Sequence, residues 1–229
     1  LSNTNINAYI DNVSLSESEG IHFESGGSTA TIGKSFFGMH LNKGHVVNEW
    51  EPVASVNVGL VRLWDTGTDW VGIEAQKGRY DWTRIDLYLD RIKKYIPDAK
   101  IIYTFGRVPG WANGSGTVAD PPLNLGDWTN FVTRLVERCG SRVDYYEMWN
   151  EFDYSGFWSG SPQQLLELNK EAYRIIKELD PTARILMPSI TNHGMDSLDK
   201  YLRIGGGNYA DAASIHVYTF EDEIESSFI

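Results

Sequence analysis

Short apolar segments alternate with amphipathic helical segments from residue 31 onward, and this alternation constrains the fold more than any other feature of the chain. The apolar segments predict strands at 36–41, 60–64, 100–105, 143–149, 184–187 and 213–218. The segments between them predict helices at 49–56, 83–95, 126–139, 162–179 and 195–203. Strands that are apolar over most of their length and alternate with helices form a parallel sheet covered by helices. Doubly wound sheets and (β/α)8 barrels both fit this pattern.

The ends of the predicted strands favour the barrel. Four strands finish in polar or aromatic residues, in the runs His40-Leu-Asn42, Trp64-Asp-Thr66, Trp149-Asn-Glu151 and His216-Val-Tyr218. A (β/α)8 barrel builds its active site from the carboxyl ends of many strands, whereas a doubly wound sheet concentrates its site at one switch point, commonly with a glycine-rich phosphate loop. The sequence contains no G-x-G-x-x-G or Walker A pattern. We therefore expect an α/β fold, an incomplete (β/α)8 TIM barrel of about six parallel strands.

The first 30 residues differ in character from the rest. Residues 7–15 alternate polar and apolar side chains and predict one strand, and a Ser- and Gly-rich stretch follows them. The run Tyr9-Ile-Asp-Asn-Val-Ser-Leu15 resembles the closing strand of jelly-roll carbohydrate-binding modules. This resemblance implies that residues 1–20 are a remnant strand of an upstream β-sandwich module, residues 21–30 a linker and residues 31–229 a partial barrel. A strand that simply caps the barrel is the alternative.

Composition and charge exclude several classes of partner. With 20 basic and 31 acidic residues the net charge is −11, which does not favour binding to nucleic acid or to an anionic membrane surface. There is no apolar run of the length that spans a bilayer. No histidines and carboxylates recur at metal-ligand spacing, so neither a metal nor another cofactor is expected.

The segment Tyr146-Glu-Met-Trp-Asn-Glu-Phe152 carries the sharpest functional signal. It resembles the fourth strand of clan A glycoside hydrolases, in which Trp-Asn-Glu supplies the acid/base glutamate. Other strand ends and loops match the same clan in the same order: Arg62–Gly67, Gly78–Trp82, Tyr103–Trp111 and Ile215–Tyr218. Over residues 31–229 the chain is most similar to family 39, with family 5 next.

The resemblance implies that Glu151 is the catalytic acid/base and that Asn150 binds the sugar 2-hydroxyl. Glycosidic cleavage needs a carboxylic acid that protonates the leaving oxygen. Apolar neighbours such as Trp149 and Phe152 are expected to raise the pKa of Glu151 by desolvation, so that it keeps its proton near neutral pH.

Nine further residues are implied to bind substrate or to position carboxylates, two of them with packing in the core as the alternative. Arg62 would hold the nucleophile carboxylate, with a core ion pair as the alternative, and Tyr218 would hydrogen-bond the same carboxylate. His40 and His216 would contact sugar hydroxyls or orient carboxylates, and Asp65 would contact substrate. Trp64 and Trp111 would stack on sugar rings, as would Trp70 and Trp158 where they do not simply pack in the core.

A retaining glycosidase needs a second carboxylate about 5–5.5 Å from the acid. In clan A this nucleophile is a glutamate on the seventh strand, and the predicted strands number six. Glu147 lies four residues before Glu151, roughly 13 Å away at about 3.3 Å per residue, which is too far. Glu221 and Asp222 are the least unsuitable substitutes. We therefore expect the nucleophile to be absent from this chain.

The resulting expectation is a retaining O-glycoside hydrolase acting on β-linked oligo- or polysaccharides, inactive as this chain alone, and extracellular or periplasmic. The alternative is a catalytically silent carbohydrate-binding barrel fragment. Six strands leave two uncovered edges, the first and the sixth, and both are apolar. Self-association, a partner, or the N-terminal strand is therefore expected to cover them.

Overall fold

The computed structural model describes residues 33–41, 50, 54–56 and 58–218. Five strands form one parallel sheet: β1 (Gly38–His40), β2 (Leu60–Leu63), β3 (Lys100–Thr104), β4 (Tyr145–Glu147) and β5 (Arg184–Leu186). Each strand pairs with the next one in the chain. A doubly wound sheet would reverse direction at a switch point, so this order is that of a barrel. The predicted fold class is confirmed as a partial TIM barrel that the described strands leave open.

Four long helices cover the sheet at the predicted positions. The helices in chain order are α1 (Trp70–Ile73), α2 (Thr83–Tyr95), α3 (Gly110–Asn113), α4 (Leu125–Cys139), α5 (Pro162–Leu179) and α6 (Met195–Arg203). Single turns of 3₁₀-helix occur at Lys34–Phe36, Gly140–Arg142 and Gly206–Tyr209. Sequence periodicity missed α1 and α3 because one turn is too short to show a 3.6-residue period. None of the described helices is both long and apolar enough to cross a membrane.

Three predicted segments fall wholly or partly outside the described residues. The N-terminal strand and linker, residues 1–20 and 21–30, are among them. Of the helix predicted at 49–56, the described part includes Ala54 and Ser55, which are helical.

The sixth barrel position differs from the prediction of one strand at 213–218. The observed strand is β7 (Ile215–His216), and it pairs in parallel with the short strand β6 (Ile190–Thr191). β6 follows β5 in the chain, and Pro188 lies between the two strands. Proline has no backbone N–H to donate to the hydrogen bonds between strands, so it interrupts the pairing. A single bridge between Leu186 and Ala212 joins β5 to the segment that leads into β7. The interruption frees Ser189 for the site described below.

An aromatic core joins the sheet to the helices beneath the carboxyl ends of the strands. Trp128 on α4 packs against Trp70, Phe105 and Trp149, with ring centres 5.1–6.0 Å apart. Its indole N–H donates to the carbonyl of Leu168 on α5 at 2.8 Å, so the ring is anchored as well as buried. The strand that leads into the Trp149-Asn-Glu151 motif therefore rests on a rigid support.

Alanine substitutions at a buried and an exposed leucine of α4, Leu135 and Leu125, test this packing. Leu135 on α4 is fully buried, so Leu135→Ala is expected to lower the free energy of unfolding by roughly 2–5 kcal/mol through lost burial and cavity formation. Leu125 lies at the start of the same helix and is exposed, and Leu125→Ala is expected to cost about 0.5 kcal/mol or less. Urea unfolding followed by circular dichroism measures both, and equal losses would contradict the described packing.

Candidate active site

Three residues with left-handed backbones mark the carboxyl end of the barrel. Asp65, Arg107 and Glu151 follow β2, β3 and β4 with φ of 54°, 58° and 42°. They are the only non-glycine residues with positive φ in the described part of the chain. Such conformations are uncommon for side chains other than glycine and concentrate at functional sites.

A buried carboxylate, Glu147, lies at the centre of the site. One of its oxygens accepts hydrogen bonds from Arg62 Nε at 2.8 Å and from the hydroxyl of Thr104 at 2.7 Å, and Arg62 Nη2 lies 2.6 Å from the same oxygen. The other oxygen accepts from Ser214 Oγ at 2.7 Å and lies 3.6 Å from His216 Nε2. β2, β3, β4 and the segment before β7 therefore meet at one side chain.

The motif residues Asn150 and Glu151 are held through the partners of Glu147. Arg62 Nη2 donates to Asn150 Oδ1 at 2.7 Å. His216 Nδ1 contacts Glu151 Oε1 at 2.7 Å, and the Tyr218 hydroxyl donates to the same oxygen. The Glu151 backbone N–H donates to Ser189 Oγ at 3.0 Å, and Ser189 N donates to the Trp149 carbonyl at 2.8 Å. Ser189, in the break between β5 and β6, thus holds the backbone of the Trp149-Asn-Glu151 motif.

The two glutamates are closer together than an extended strand allows. Both carboxylates contact nitrogens of the single imidazole ring of His216, so their separation is well below the roughly 13 Å expected from strand geometry. The estimate was wrong because β4 ends at Glu147 and the chain turns through a left-handed residue at Glu151.

The protonation state of Glu151 also differs from the expectation. Burial does raise its pKa, but hydrogen bonds from His216 and Tyr218 and the charges of His216 and Arg62 outweigh burial, and the net pKa is lowered. The same opposing effects act on the pKa of Glu147. Burial raises its pKa, yet Arg62, His216 and Ser214 hold it well below the usual range. Both groups are carboxylates at neutral pH in this arrangement.

His216 balances the two carboxylates. Burial lowers the pKa of its ring, but the hydrogen bonds and charge of Glu147, together with the hydrogen bond to Glu151, raise the pKa to about 9. The ring is therefore an imidazolium at neutral pH, with both nitrogens available as donors.

Of the remaining predicted residues, His40 and Asp65 lie at the same end of the barrel. His40 Nε2 contacts the carbonyl oxygen of Trp64, and Asp65 forms an ion pair with Arg107. Trp64 is only 5% exposed, and Arg107 covers its ring. It therefore presents little surface on which a sugar could stack.

Trp111 lies elsewhere. Its indole N–H donates to the Glu74 carbonyl at 2.8 Å, and its ring packs edge-to-face on Trp70 in a cleft that Lys77 and Tyr80 also line. Among the described contacts none joins Trp111 to Glu151. Trp70 and Trp158 are buried in the core, which is the packing alternative.

Sequence reasoning missed Thr104, Ser189, Ser214 and Arg107 as parts of the site. It considered Glu147 only as a nucleophile, although a charged residue inside an apolar strand is itself a signal of a buried ion pair. In the described part of the chain no histidines, cysteines and carboxylates cluster in a way that could hold a metal ion.

Comparison with solved structures supports the glycosidase fold. A monomeric β-xylosidase from Caulobacter crescentus CB15 matches with a TM-score of 0.62 and 20% identity over 80% of this chain and 41% of its own. A family 39 glycoside hydrolase from Bacteroides cellulosilyticus WH2 gives 0.60 and 21% over 78% and 36%. A family 10 xylanase from Bispora sp. MEY-1 with xylobiose gives 0.60 and 12% over 80% and 61%. No family model and no curated protein matches the chain.

These matches establish a relation in fold. This chain spans less than two thirds of each of the three proteins, and the identities are too low to carry over activity. The structural neighbours are TIM-barrel glycoside hydrolases of the clan A type, as the sequence motifs predicted.

Removing the charge of Glu147 tests the central cluster. Glu147→Gln is expected to lower the pKa of His216 from about 9 towards its ordinary value of 6.5, because it removes the buried negative charge that favours the imidazolium. Titration of the His216 ring resonances by NMR, in the variant and in the unsubstituted protein, measures this shift.

The same variant changes the pH dependence of stability. A raised pKa in the folded state stabilises the protein fully below about pH 6.5, and this contribution is lost as the pH rises through about 9. In Glu147→Gln the loss should occur at lower pH. Identical stability profiles and an unchanged His216 titration would show that Glu147 does not control this ring.

Proposed function

We propose that this barrel hydrolyses O-glycosidic bonds of β-linked glycans by a retaining two-carboxylate mechanism, with Glu151 as general acid/base. The observation that carries the proposal is the placement of Glu151 on a left-handed backbone at the carboxyl end of β4, with its carboxylate held by His216 and Tyr218. This end of the barrel is where TIM-barrel enzymes carry out their chemistry.

Asn150 has the orientation that substrate binding requires. Because its side-chain oxygen accepts from Arg62, its amide nitrogen points away from the guanidinium and has no partner among the described residues. That nitrogen can donate to the oxygen of the sugar 2-hydroxyl, a contact that strengthens as the oxocarbenium-like transition state forms.

The ionised state of Glu151 is consistent with a site that lacks its second carboxylate. A nucleophile about 5–5.5 Å away would place a like charge beside Glu151 and raise its pKa, so that it carries a proton when substrate binds. His216 and Tyr218 both contact Glu151 here, whereas Tyr218 was expected to contact the nucleophile.

Glu147 is not a suitable nucleophile. Both its oxygens are engaged by Arg62, Thr104 and Ser214, and the side chain is buried. We propose that a glutamate on the seventh strand of the barrel supplies the nucleophile. That strand would follow β7, which occupies the sixth barrel position. Glu221 and Asp222 lie outside the described residues and are the alternatives within this chain.

The competing function is sugar binding without turnover. It is favoured by the lowered pKa of Glu151, because a group that is already ionised has no proton to give to a leaving oxygen.

Hydrolysis assays separate the two functions. The 229-residue chain alone is expected to give little or no turnover of aryl β-glycosides, β-glucans or xylans. A polypeptide that joins this barrel to a seventh strand ending in glutamate is expected to hydrolyse them with retention, followed by NMR of the anomeric proton. Glu151→Gln should then reduce kcat by about 10²–10⁴.

The leaving group provides the control for the role of Glu151. A general acid matters less when the leaving group is a weak base, so the defect of Glu151→Gln should be smaller for dinitrophenyl than for phenyl glycosides. Inversion of configuration would contradict the mechanism. Efficient turnover by the chain alone would identify a nucleophile within it, and Glu221→Gln would be the next variant.

We also propose that the protein is extracellular or periplasmic and that another polypeptide, a second copy of this chain first of all, covers the barrel edges. β1 and β7 each pair with one strand in the described part of the chain, and Phe36, Phe37, Ile215 and Tyr218 beside them are exposed. Light scattering at micromolar concentration is expected to give a mass above the 25.9 kDa of one chain. A monodisperse monomer would contradict self-association.

A further inference from the structure

The loops after β2 and β3 present an ion pair, at the same end of the barrel as Glu151, that the catalytic proposal does not use. Arg107 Nη2 donates to Asp65, and Arg107 Nη1 donates to Asp69 at 3.2 Å. Asp65 and Arg107 both have left-handed backbones, which cost conformational energy in residues other than glycine. Their side chains remain 45% and 29% exposed, so burial of this pair does little to offset that cost.

Aromatic rings connect this ion pair to the loop of the catalytic residue. The Arg107 guanidinium lies 4.8 Å from the centre of the Trp64 ring. Trp64 meets Phe157 edge-to-face at 5.6 Å, and Phe157 meets Tyr154 at 5.3 Å. The Tyr154 backbone N–H donates to the Glu151 carbonyl at 2.9 Å. This row of side chains therefore runs from Arg107 to Tyr154, in the loop that follows Glu151.

Two glycines allow the rings to lie where they do. A Cβ at Gly106 would stand 2.7 Å from the Trp64 ring, and a Cβ at Gly156 would stand 2.5 Å from the Tyr154 ring. The Trp64 ring therefore packs directly against the backbone of Gly106, and the Tyr154 ring against that of Gly156. Trp64 is a buried support, whereas Tyr154 is 56% exposed. An exposed ring in the loop that directly follows Glu151 is suited to stacking on a sugar face.

The polar end of this row, formed by Asp65 and Arg107, is suited to binding neutral hydroxyl groups. The second carboxylate oxygen of Asp65 and the remaining N–H groups of Arg107 have no partner among the described residues, and they place an acceptor beside donors. Adjacent hydroxyls of a sugar ring require that combination. Arg107 already contacts two carboxyl groups, so it offers no unpaired positive charge to an acidic sugar. The net charge of −11 further disfavours an anionic ligand.

We propose that Asp65, Arg107 and Tyr154 form a binding subsite for a neutral β-linked oligosaccharide on the β2–β4 side of Glu151. The inference rests on the proposed function and deepens it by adding Arg107, Tyr154 and discrimination against uronic acids.

Binding measurements test the subsite without requiring turnover. Isothermal titration calorimetry of the full chain carrying Glu151→Gln is performed with xylotetraose, cellotetraose and a β-linked glucuronic acid tetramer. At least one neutral tetramer is expected to bind, and the acidic tetramer at least about tenfold more weakly. Arg107→Met, Asp65→Asn and Tyr154→Ala are each expected to weaken neutral binding by about tenfold.

Matched variants control for charge and aromatic content. Arg203→Met removes an exposed arginine on α6, and Phe36→Ala removes a ring of similar exposure near the amino end of β1. Neither should change binding. Near-UV circular dichroism checks folding, and Arg107→Gln, which keeps hydrogen-bond donors, replaces Arg107→Met if that variant unfolds.

The outcomes separate the subsite from the catalytic proposal. Neutral binding that none of the three substitutions weakens, tighter binding of the acidic tetramer, or no binding of any tetramer would overturn the subsite. Binding that depends on these residues, with no hydrolysis by a barrel completed with the seventh strand, would support the subsite and contradict the proposed function.

Discussion

The buried ion pair between Arg62 and Glu147 is the interaction on which the rest of the site depends. Removing two charges from water costs several kcal/mol per ion, and the geometry here offsets that cost with additional hydrogen bonds from Thr104 and Ser214. The pair also links strands that are remote in the chain, because Arg62 and Glu147 are 85 residues apart. A buried pair of this kind orients its neighbours more than it stabilises the fold.

From this pair, two chains of contacts lead to Asn150 and Glu151. Through Arg62 the pair orients the amide of Asn150, and through His216 it reaches the carboxylate of Glu151. The imidazolium between two carboxylates, together with Arg62, keeps the charge of this buried cluster balanced. Any group that approaches Glu151, whether substrate or a second carboxylate, acts against this balance and changes its proton affinity.

How far the sequence predicted the structure depends on the range of the interactions involved. The helix at 162–179 was predicted residue for residue, because its cap, its first-position proline and its apolar stripe are all local signals. The Trp149-Asn-Glu151 motif was predicted to follow a strand, and it does follow β4. The sixth strand was predicted to span residues 213–218, whereas the observed strand is only Ile215–His216. The interruption after β5 at Pro188, and the pairing of β7 with β6 instead, were not predicted. The stacking role of Trp111 was inferred from residue type, and the structure shows that its loop places it in another cleft.

By itself, the sequence determined the alternation of strands and helices, the caps that bound the helices and the strand end at which Glu151 lies. Those features follow from backbone propensity and hydrophobic periodicity, which act over a few residues. Only the tertiary structure decided which groups surround Glu151 and therefore that it is ionised. His216 comes from 65 residues away and Ser189 from 38, and a pKa responds to charges and hydrogen bonds within a few ångströms, whatever their distance along the chain.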